Sequence, residues 1–213
     1  MVGEGVLHEC LNDPKVQNVL VVGRRPCGVV HPKLSELIVA DFSQLEVLKG
    51  AAQGYDACLF CLGVSSVGMK EEQYRQLTYD LTLNFAKAIK QFNPNLLFAY
   101  ISGAGTDSTE KGRSMWARVK GKTENDLIAM FSRAYMFRPG YMHPTPGLKN
   151  TLKFYRYIKW MYPFLRFAFP GSTSTLAELG QAMIHCAASG YHKKVLEVRD
   201  IVEAAHLNTG ASD

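Results

Sequence analysis

Short apolar segments alternate along the chain with segments of helical spacing. The apolar segments are rich in β-branched and aromatic residues, and Gly or Asp follows each of the first five closely. They comprise residues 19–22, 37–40, 57–62, 96–101 and 134–137, with a further short segment at 194–198. Strands that are apolar at consecutive positions are typical of parallel sheets, because both faces of such a sheet are buried.

Helical spacing separates these strands. In residues 70–92, apolar residues recur at intervals of four, three and four, and residues 2–11, 112–131 and 176–183 are also helix-like. A Ser/Thr cluster at 172–175 offers an N-cap for the last of these helices. Strands in alternation with helices predict an α/β fold, namely a doubly wound, mostly parallel sheet with helices on both faces. We expect the tail from Ala205 onward to be frayed.

The N-terminus departs from this pattern because the chain opens directly on a helix-like segment. In a doubly wound nucleotide-binding fold the first strand is central, and the turn after it carries the glycine-rich phosphate loop. The sequence therefore predicts a fold whose first strand is missing. Either the true start lies about ten residues earlier, or the chain is truncated.

Composition and charge narrow the functional classes. The 213 residues suit one domain, and a hydrophobic fraction of 47% with 20% charged residues is ordinary for a globular protein. The net charge of +5 comes from residues 127–177, which contain seven basic residues and no acidic ones. Such a local excess argues against a general nucleic-acid surface. We see no run of about 18 apolar residues that would predict a spanning helix.

Five cysteines, without a secretory signal, favour a reducing compartment, and we expect a cytoplasmic protein. Cys58 and Cys61 form a CxxC pair inside an apolar strand. Alternation would place the two thiols on opposite faces, and no second CxxC is present. We therefore interpret both as packing residues and predict no metal site.

Several motifs fall at the ends of the predicted strands or on the helices between them. They are Met1-Val2-Gly3-Glu4-Gly5, Gly23-Arg24-Arg25-Pro26, Asp41-Phe42, Cys61-Leu62-Gly63-Val64, Tyr100-Ile101-Ser102-Gly103, Trp116-x-x-x-Lys120-x-x-x-Glu124 and Arg138-Pro139-Gly140. In order and spacing they resemble the short-chain dehydrogenase/reductase superfamily over nearly the whole chain. The similarity is greatest to its atypical, epimerase-like NAD(P)-binding branch, which has a Rossmann fold.

The resemblance implies a cofactor site. Gly3 would be the third glycine of the family's phosphate turn, whose first two glycines are absent from this sequence. Arg24 and Arg25 stand about where an acid would hold the ribose of NAD, so the pair favours NADP, although a solvated basic turn is the alternative. Asp41 and Phe42 would lie beside the adenine, or Asp41 would cap the next helix.

Leu62 and Gly63 would pass under the adenosine ribose, and Pro139 and Gly140 would lie along the nicotinamide amide. These residues add to the cofactor positions named above, and Lys120 is a further one.

The resemblance also implies a catalytic group, with one departure. Ser102 would polarise the substrate carbonyl, and Lys120 would hold the nicotinamide ribose. Trp116 stands where the family has its acid tyrosine, and an indole N–H cannot deliver a proton in that role. Trp116 would instead cover the nicotinamide or fill the site. Tyr141 or His143 could supply a replacement acid.

Residues 149–169 form a basic, aromatic stretch. Apolar and basic residues fall on opposite sides at 100° per residue, and Pro163 should kink or split the helix. This pattern fits a packed C-terminal helix or substrate lid, a membrane-surface helix, or a partner-binding helix. We expect one domain over residues 1–213, in which 147–190 form a helical lid or substrate subregion.

The leading hypothesis is an NADP(H)-binding, short-chain dehydrogenase/reductase-like protein. As an oxidoreductase or epimerase it would act on a small carbonyl or sugar-like substrate. One alternative is a non-catalytic dinucleotide sensor, which the absent tyrosine and glycines favour. Another is a peripheral membrane protein that uses residues 149–169. Family members often form dimers through the helices that flank the sheet, so we also expect a homodimer.

Overall fold

The computed structural model describes residues 1–42, 44–148 and 171–209. Its α-helices are α1 (Val2–Asn12), α2 (Leu48–Ala51), α3 (Glu71–Arg75), α4 (Leu81–Phe92), α5 (Met115–Met130), α6 (Leu176–Ser189) and α7 (Val198–Thr209). A 3₁₀ turn (Leu45–Val47) precedes α2, and a π-helical segment (Gln76–Asp80) joins α3 to α4. None of the described helices is long and apolar enough to cross a membrane.

The strands in the described part of the chain form three parallel sheets. They are β1 (Val19–Gly23), β2 (Leu34–Ile38), β3 (Ala57–Phe60), β4 (Leu97–Ile101), β5 (Ala134–Arg138), β6 (Tyr141–His143), β7 (Thr173–Thr175) and β8 (Val195–Glu197). The main sheet has the order β3-β4-β5-β8, while β1 pairs with β2 and β6 pairs with β7. This mostly parallel α/β architecture confirms the predicted fold class.

Helices cover both faces of the main sheet. On one face, α1, α6 and α7 bury Val6, Cys10, Met183 and Ile201 in one apolar cluster. On the other face, the cluster formed with α2, α4 and α5 includes Leu48 and buries many aromatic rings. β4 lies between the two clusters and is almost wholly buried, which explains its run of consecutive apolar residues.

The predicted ends of the helices and strands are correct for some elements and wrong for others. The capping box of α6 is present, with Thr175 accepting from the Glu178 amide, so the predicted N-cap is confirmed. The second strand, predicted at 37–40, begins three residues earlier than predicted, at Leu34. Within the described residues β2 is an edge strand that pairs with β1 alone, so Ser35 and Glu36 face solvent and the apolar run marks only its end.

The C-terminal tail is also more ordered than predicted. α7 continues through Ala205 to Thr209, because Ile201, Ala204 and Ala205 are buried at helical spacing against α6 and the main sheet. The predicted helix over 70–92 is confirmed as α3 and α4, with the π-helical segment between them.

A close backbone approach fixes α5 against the loop that follows β4. A Cβ added at Gly121 would lie 1.8 Å from the Asp107 carbonyl oxygen, so no side chain fits at this position. The Asp107 amide in turn donates to the Ala117 carbonyl of α5 at 3.1 Å. Gly121 therefore sets how near α5 can come to this loop.

We predict that Gly121→Ala destabilises the fold by about 3 kcal/mol or more, because a backbone atom cannot move aside cheaply. Gly50→Ala is the matched control, since Gly50 lies in α2 with no atom within 4 Å of an added Cβ. That control should be neutral or stabilising by about 0.5–1 kcal/mol. Urea unfolding of both variants measures the difference, and equal stabilities would contradict the packing described.

Candidate functional site

The carboxyl ends of the parallel strands bring most of the predicted site residues to one edge of the molecule. Arg24 follows β1, Gly63 follows β3, Ser102 follows β4 and Pro139 follows β5. In open α/β sheets, ligands bind in the crevice outside this edge. The strands therefore position the candidate residues, and the loops after the strands present them.

The N-terminus of α1 lies at the same edge. A Cβ added at Gly3 would come within 3.3 Å of the Cys61 Cβ just after β3, so glycine permits close packing of helix on sheet here. Met1 is the N-cap of α1 and makes no capping hydrogen bond through its side chain. The first-turn amides and the helix dipole thus offer a place for an anion.

Some of the residues predicted at the adenine end line a cavity of about 1080 Å³. Arg24 and Arg25 are exposed after β1, and Arg25 lines the cavity. Phe42 also lines it, with its ring 6.2 Å from that of Phe85. Leu62 also lines the cavity and is 39% exposed.

Asp41 is exposed beside Phe42. Its backbone carbonyl accepts from the Gln44 amide at 3.1 Å, and Gln44 is the N-cap of the following 3₁₀ turn. Both roles of Asp41, beside the adenine or as a cap of the following helix, stay predictions.

Lys120 of α5 reaches the end of β4. Its Nζ donates a hydrogen bond to the Ser102 carbonyl oxygen. Burial lowers the pKa of Lys120 to about 8, although the nearby Glu124 carboxylate works in the opposite direction. The structure thus brings two of the three predicted catalytic residues together.

The hydroxyl of Ser102 points into the protein. Ser102 is only 6% exposed, and its Oγ donates to Glu124 and also lies 3.1 Å from the Phe137 carbonyl oxygen. Its backbone amide donates to the same Phe137 carbonyl at 2.9 Å. The side chain predicted to polarise a substrate is therefore engaged by a buried carboxylate.

Glu124 is fully buried and belongs to a charged cluster that the sequence analysis did not assemble. Arg138 donates to both its carboxylate oxygens, with Nε at 3.0 and 3.2 Å, and also bonds Glu197 Oε1 at 3.0 Å and Ser108 Oγ. The cluster joins β4, α5, β5 and β8. The Lys120–Glu124 spacing could have indicated part of it, but nothing in the sequence pairs Glu124 with Arg138.

Trp116 lies one turn before Lys120 on α5 and is half-buried. A Cβ added at Gly105, in the loop after β4, would lie 3.6 Å from the indole ring, so the ring packs over this loop. Trp116 and Lys120 are four residues apart and so lie on the same side of α5, but the indole carries no group that could transfer a proton.

Pro139 and Gly140 lead from β5 to β6 at the same edge. The Pro139 carbonyl accepts from the Ala104 amide at 2.9 Å, and a Cβ added at Gly140 would meet the Ser172 carbonyl oxygen at 2.3 Å. Tyr141 and His143, the predicted replacement acids, are half-buried in the ladder of β6 with β7. The turn is thus held on both sides by backbone.

The cysteine pair behaves as packing residues. Cys61 packs into the cluster under α1, while Cys58 packs into the cluster on the other face. All five cysteines are free thiols, and burial raises the pKa of Cys61 to about 12. Among residues 1–42, 44–148 and 171–209, no group of His, Cys, Asp and Glu side chains could hold a metal ion. The basic stretch 149–169 lies outside the described residues.

Comparison with known proteins places the fold. No protein-family model matches the chain. The chain is similar to "Protein FMP52, mitochondrial" of Debaryomyces hansenii, with 25% identity over 197 residues, which cover 88% of this chain and 84% of the relative.

Two solved structures show a similar architecture. Bordetella bronchiseptica WbmG in complex with NAD matches with a TM-score of 0.63 and 11% identity over 99% of this chain and 76% of that chain. Streptomyces venezuelae DesIV, a dTDP-glucose 4,6-dehydratase with NAD and TYD bound, has a TM-score of 0.63 and 12% identity over 99% and 79%. The chain has a Rossmann-like fold. At these identities the likeness concerns the fold alone.

We predict that Lys120→Met stabilises the protein at pH 7 by on the order of 1–2 kcal/mol, because burying the charged amine is unfavourable. The folded-state pKa of about 8 lies below the ordinary value of 10.5. Between these values the unfolded chain binds more protons, so the stability of the unmodified protein rises with pH. The gain from Lys120→Met should therefore disappear as the pH approaches 10.

Urea unfolding at pH 7 and at pH 10 measures this effect. Lys87→Met, which replaces an exposed lysine of α4, is the control and should alter stability equally at both values. A gain from Lys120→Met that does not change with pH would contradict the buried position of the amine.

Proposed function

We propose that this chain is an NADP(H)-binding protein of the short-chain dehydrogenase/reductase type, with oxidoreductase or epimerase chemistry on a small carbonyl or sugar-like substrate. The observation that carries the proposal is the convergence of the candidate residues on one edge. The N-terminus of α1, the loops after β1 and β3, and Lys120 at the end of β4 all lie there. The match in fold to proteins solved with NAD supports it.

The described residues suit a dinucleotide at both ends. Arg24 and Arg25, which are exposed after β1, would hold a 2′-phosphate, and Asp41 with Phe42 would contact the adenine. Gly3 leaves α1 close to the sheet, with first-turn amides available to the pyrophosphate. When bound, the nicotinamide would supply or accept a hydride.

At the nicotinamide end, Lys120 would donate to the ribose hydroxyls, and Pro139 and Gly140 would border the carboxamide. Ser102 would act on the substrate only if its hydroxyl turned away from Glu124. Trp116 would shield this end from water. The proposal therefore assigns binding to more groups than it assigns to proton transfer.

A second function follows from the buried Ser102 hydroxyl. Because Glu124 already accepts from Ser102 Oγ, and because Trp116 replaces a proton donor, the site supports a non-catalytic dinucleotide sensor. A sensor would change its affinity for a partner when NADPH binds. Residues 149–169, a basic amphipathic stretch, would then serve as a partner-binding or membrane-surface element.

The cellular compartment and the oligomeric state are proposals that rest on the sequence. We keep a cytoplasmic protein, peripheral to a membrane through 149–169, and a homodimer as expectations. The name of the Debaryomyces hansenii relative places that protein in mitochondria, which offers a second compartment to test. Fractionation of the native cells would decide between the two.

We predict that Arg24→Ala and Arg25→Ala each weaken NADPH binding about tenfold or more, because each removes charge-assisted hydrogen bonds to a phosphate. Binding of NADH should change less than threefold. Titration calorimetry with both nucleotides gives the affinities. Arg113→Ala, an exposed arginine of the loop before α5, is the control. Equal losses for NADPH and NADH would exclude a 2′-phosphate contact.

We predict that Trp116→Tyr raises the rate of NADPH oxidation with a panel of aldehydes, ketones and nucleotide sugars by about 10²-fold or more, because it restores a proton donor one turn from Lys120. Trp116→Phe, which restores only ring size, should give no gain. NADPH binding with no turnover in either variant would favour the sensor. No NADPH binding at all would overturn both functions.

A further inference from the structure

A second pocket lies at the amino edge of the main sheet, at the other end of β5 from the candidate nucleotide site. Its volume is about 470 Å³, which is in the range of small-molecule sites. Tyr135 near the start of β5, the last turn of α6, the turn that follows it and the second half of α7 form its walls. We call it the α6–α7 pocket.

The turn after α6 is held in place by β5. Gly190 ends α6 with a φ of +78°, and its amide donates to the Cys186 carbonyl at 3.1 Å. Tyr135 Oη accepts from the Tyr191 amide at 3.0 Å and donates to the Tyr191 carbonyl at 3.4 Å. The ring centroids of Tyr191 and His192 are 4.3 Å apart. The pocket therefore has a preformed aromatic wall.

The charge of the lining is negative. Glu203 of α7 is exposed and is the only Asp, Glu, Lys or Arg residue in the lining. It forms no ion pair with any residue that the structure describes. Burial raises the pKa of Tyr191 to about 12, and the Glu203 and Asp200 carboxylates add to this effect. The C-terminal, negative end of the α6 dipole points the same way, and its last turn contains no basic residue.

The basic groups nearby do not reverse this charge. Arg133 donates to the Ala187 carbonyl at 2.9 Å, and Lys193 donates to Asp200 at 2.5 Å. Burial, and after it the charge of Lys15, lower the pKa of His185, a lining residue, so its imidazole is neutral at pH 7.5. A cation in the pocket therefore meets a carboxylate, while an anion would be repelled by it.

The pocket also offers an apolar contact. Leu207 follows Glu203 by one turn of α7, lines the pocket and is 50% exposed. Aromatic rings attract a cation to their faces, and Tyr191 and His192 supply two such rings. No group of His, Cys, Asp and Glu side chains in the described part of the chain could hold a metal ion. The lining thus suits an organic cation that carries an alkyl chain.

We propose that the α6–α7 pocket binds the ammonium group of an aliphatic amine. Glu203 is its counter-ion, and the Tyr191 and His192 rings lie beside the charge. Leu207 packs against the alkyl chain. The amine is either a free small molecule or the lysine side chain of another protein, since both present the same chemistry. The site is separate from the candidate nucleotide site, and neither depends on the other.

The test titrates the full chain with n-butylammonium chloride at pH 7.5 and constant ionic strength. We expect saturable NMR shifts of the Gly190, Tyr191 and His192 amides, with a dissociation constant of about 1–10 mM for so small a probe. The neutral analogue 1-butanol should bind about fivefold or more weakly, because it lacks the charge. Equal affinity for the two probes would overturn the proposal.

Protein variants locate the effect. Glu203→Gln should weaken n-butylammonium binding about threefold or more and leave 1-butanol binding unchanged. Leu207→Ala should weaken the binding of both probes alike, because it removes only apolar contact. Glu72→Gln, which alters an exposed glutamate of α3 outside the lining, is the control and should change neither. If Glu203→Gln behaves like this control, the pocket is not an ammonium site.

Two further probes identify the source and the sign of the charge. Nα-acetyl-lysine N-methylamide carries the same butylammonium chain on a peptide backbone. Tighter binding than n-butylammonium assigns the site to a lysine side chain, and weaker binding assigns it to a free amine. Saturable binding of sodium butyrate with equal or higher affinity would reverse the charge preference and overturn the proposal. All of these titrations are made without NADPH, so their outcome is independent of nucleotide binding.

Discussion

A parallel strand that is buried on both faces can satisfy its backbone only through the strands beside it. β4 meets this requirement with β3 on one side and β5 on the other, and it is the most buried strand of the main sheet. Among the residues that the structure describes, β1 and β3 each have one strand neighbour. What keeps their sheets together is side-chain packing: Val19 joins the cluster under α1, and Val22 joins the aromatic cluster under α4. The arrangement of the strands' carboxyl ends therefore depends on α1 and α4, which pack against both sheets.

The buried cluster around Glu124 provides a second constraint. A fully buried carboxylate is tolerable only when its oxygens are saturated, and here Arg138 and Ser102 supply the donors. Because these groups come from α5, β5 and β4, the cluster fixes where α5 crosses the sheet. It also fixes the backbone of Ser102, whose carbonyl holds Lys120. The position of Lys120 is thus a consequence of structural packing before any ligand is present.

Local pattern was sufficient for the elements that are buried on both sides. The runs that became β3, β4 and β5 were predicted within a few residues, because double burial leaves a consecutive apolar signal. β2 was misplaced because an edge strand is half exposed, and its polar residues Ser35 and Glu36 conceal it. In the tail, the spacing of Ile201, Ala204 and Ala205 is helical, so the sequence does contain the signal of α7.

In the candidate site, too, some features could be predicted from local sequence and others could not. Residues that sit at strand ends, such as Arg24, Gly63 and Pro139, could be placed at one edge from strand order alone. The contacts that decide their chemistry could not, since Ser102, Glu124 and Arg138 meet across long sequence separations. The close approach of Gly121 to the Asp107 carbonyl is invisible in the sequence for the same reason.

Burial of Lys120 has opposite effects on binding and on proton transfer. Removing water from the amine lowers its pKa to about 8, which eases exchange of its proton near neutral pH. The same exclusion of water strengthens each hydrogen bond that the amine donates. In the family that the sequence resembles, a phenol four residues earlier uses the first effect. Here an indole occupies that position, so only the second effect remains. We therefore expect an amine without a proton-transferring neighbour to hold hydroxyl groups without activating them, so the proposed dinucleotide binding and the proposed turnover can be tested separately.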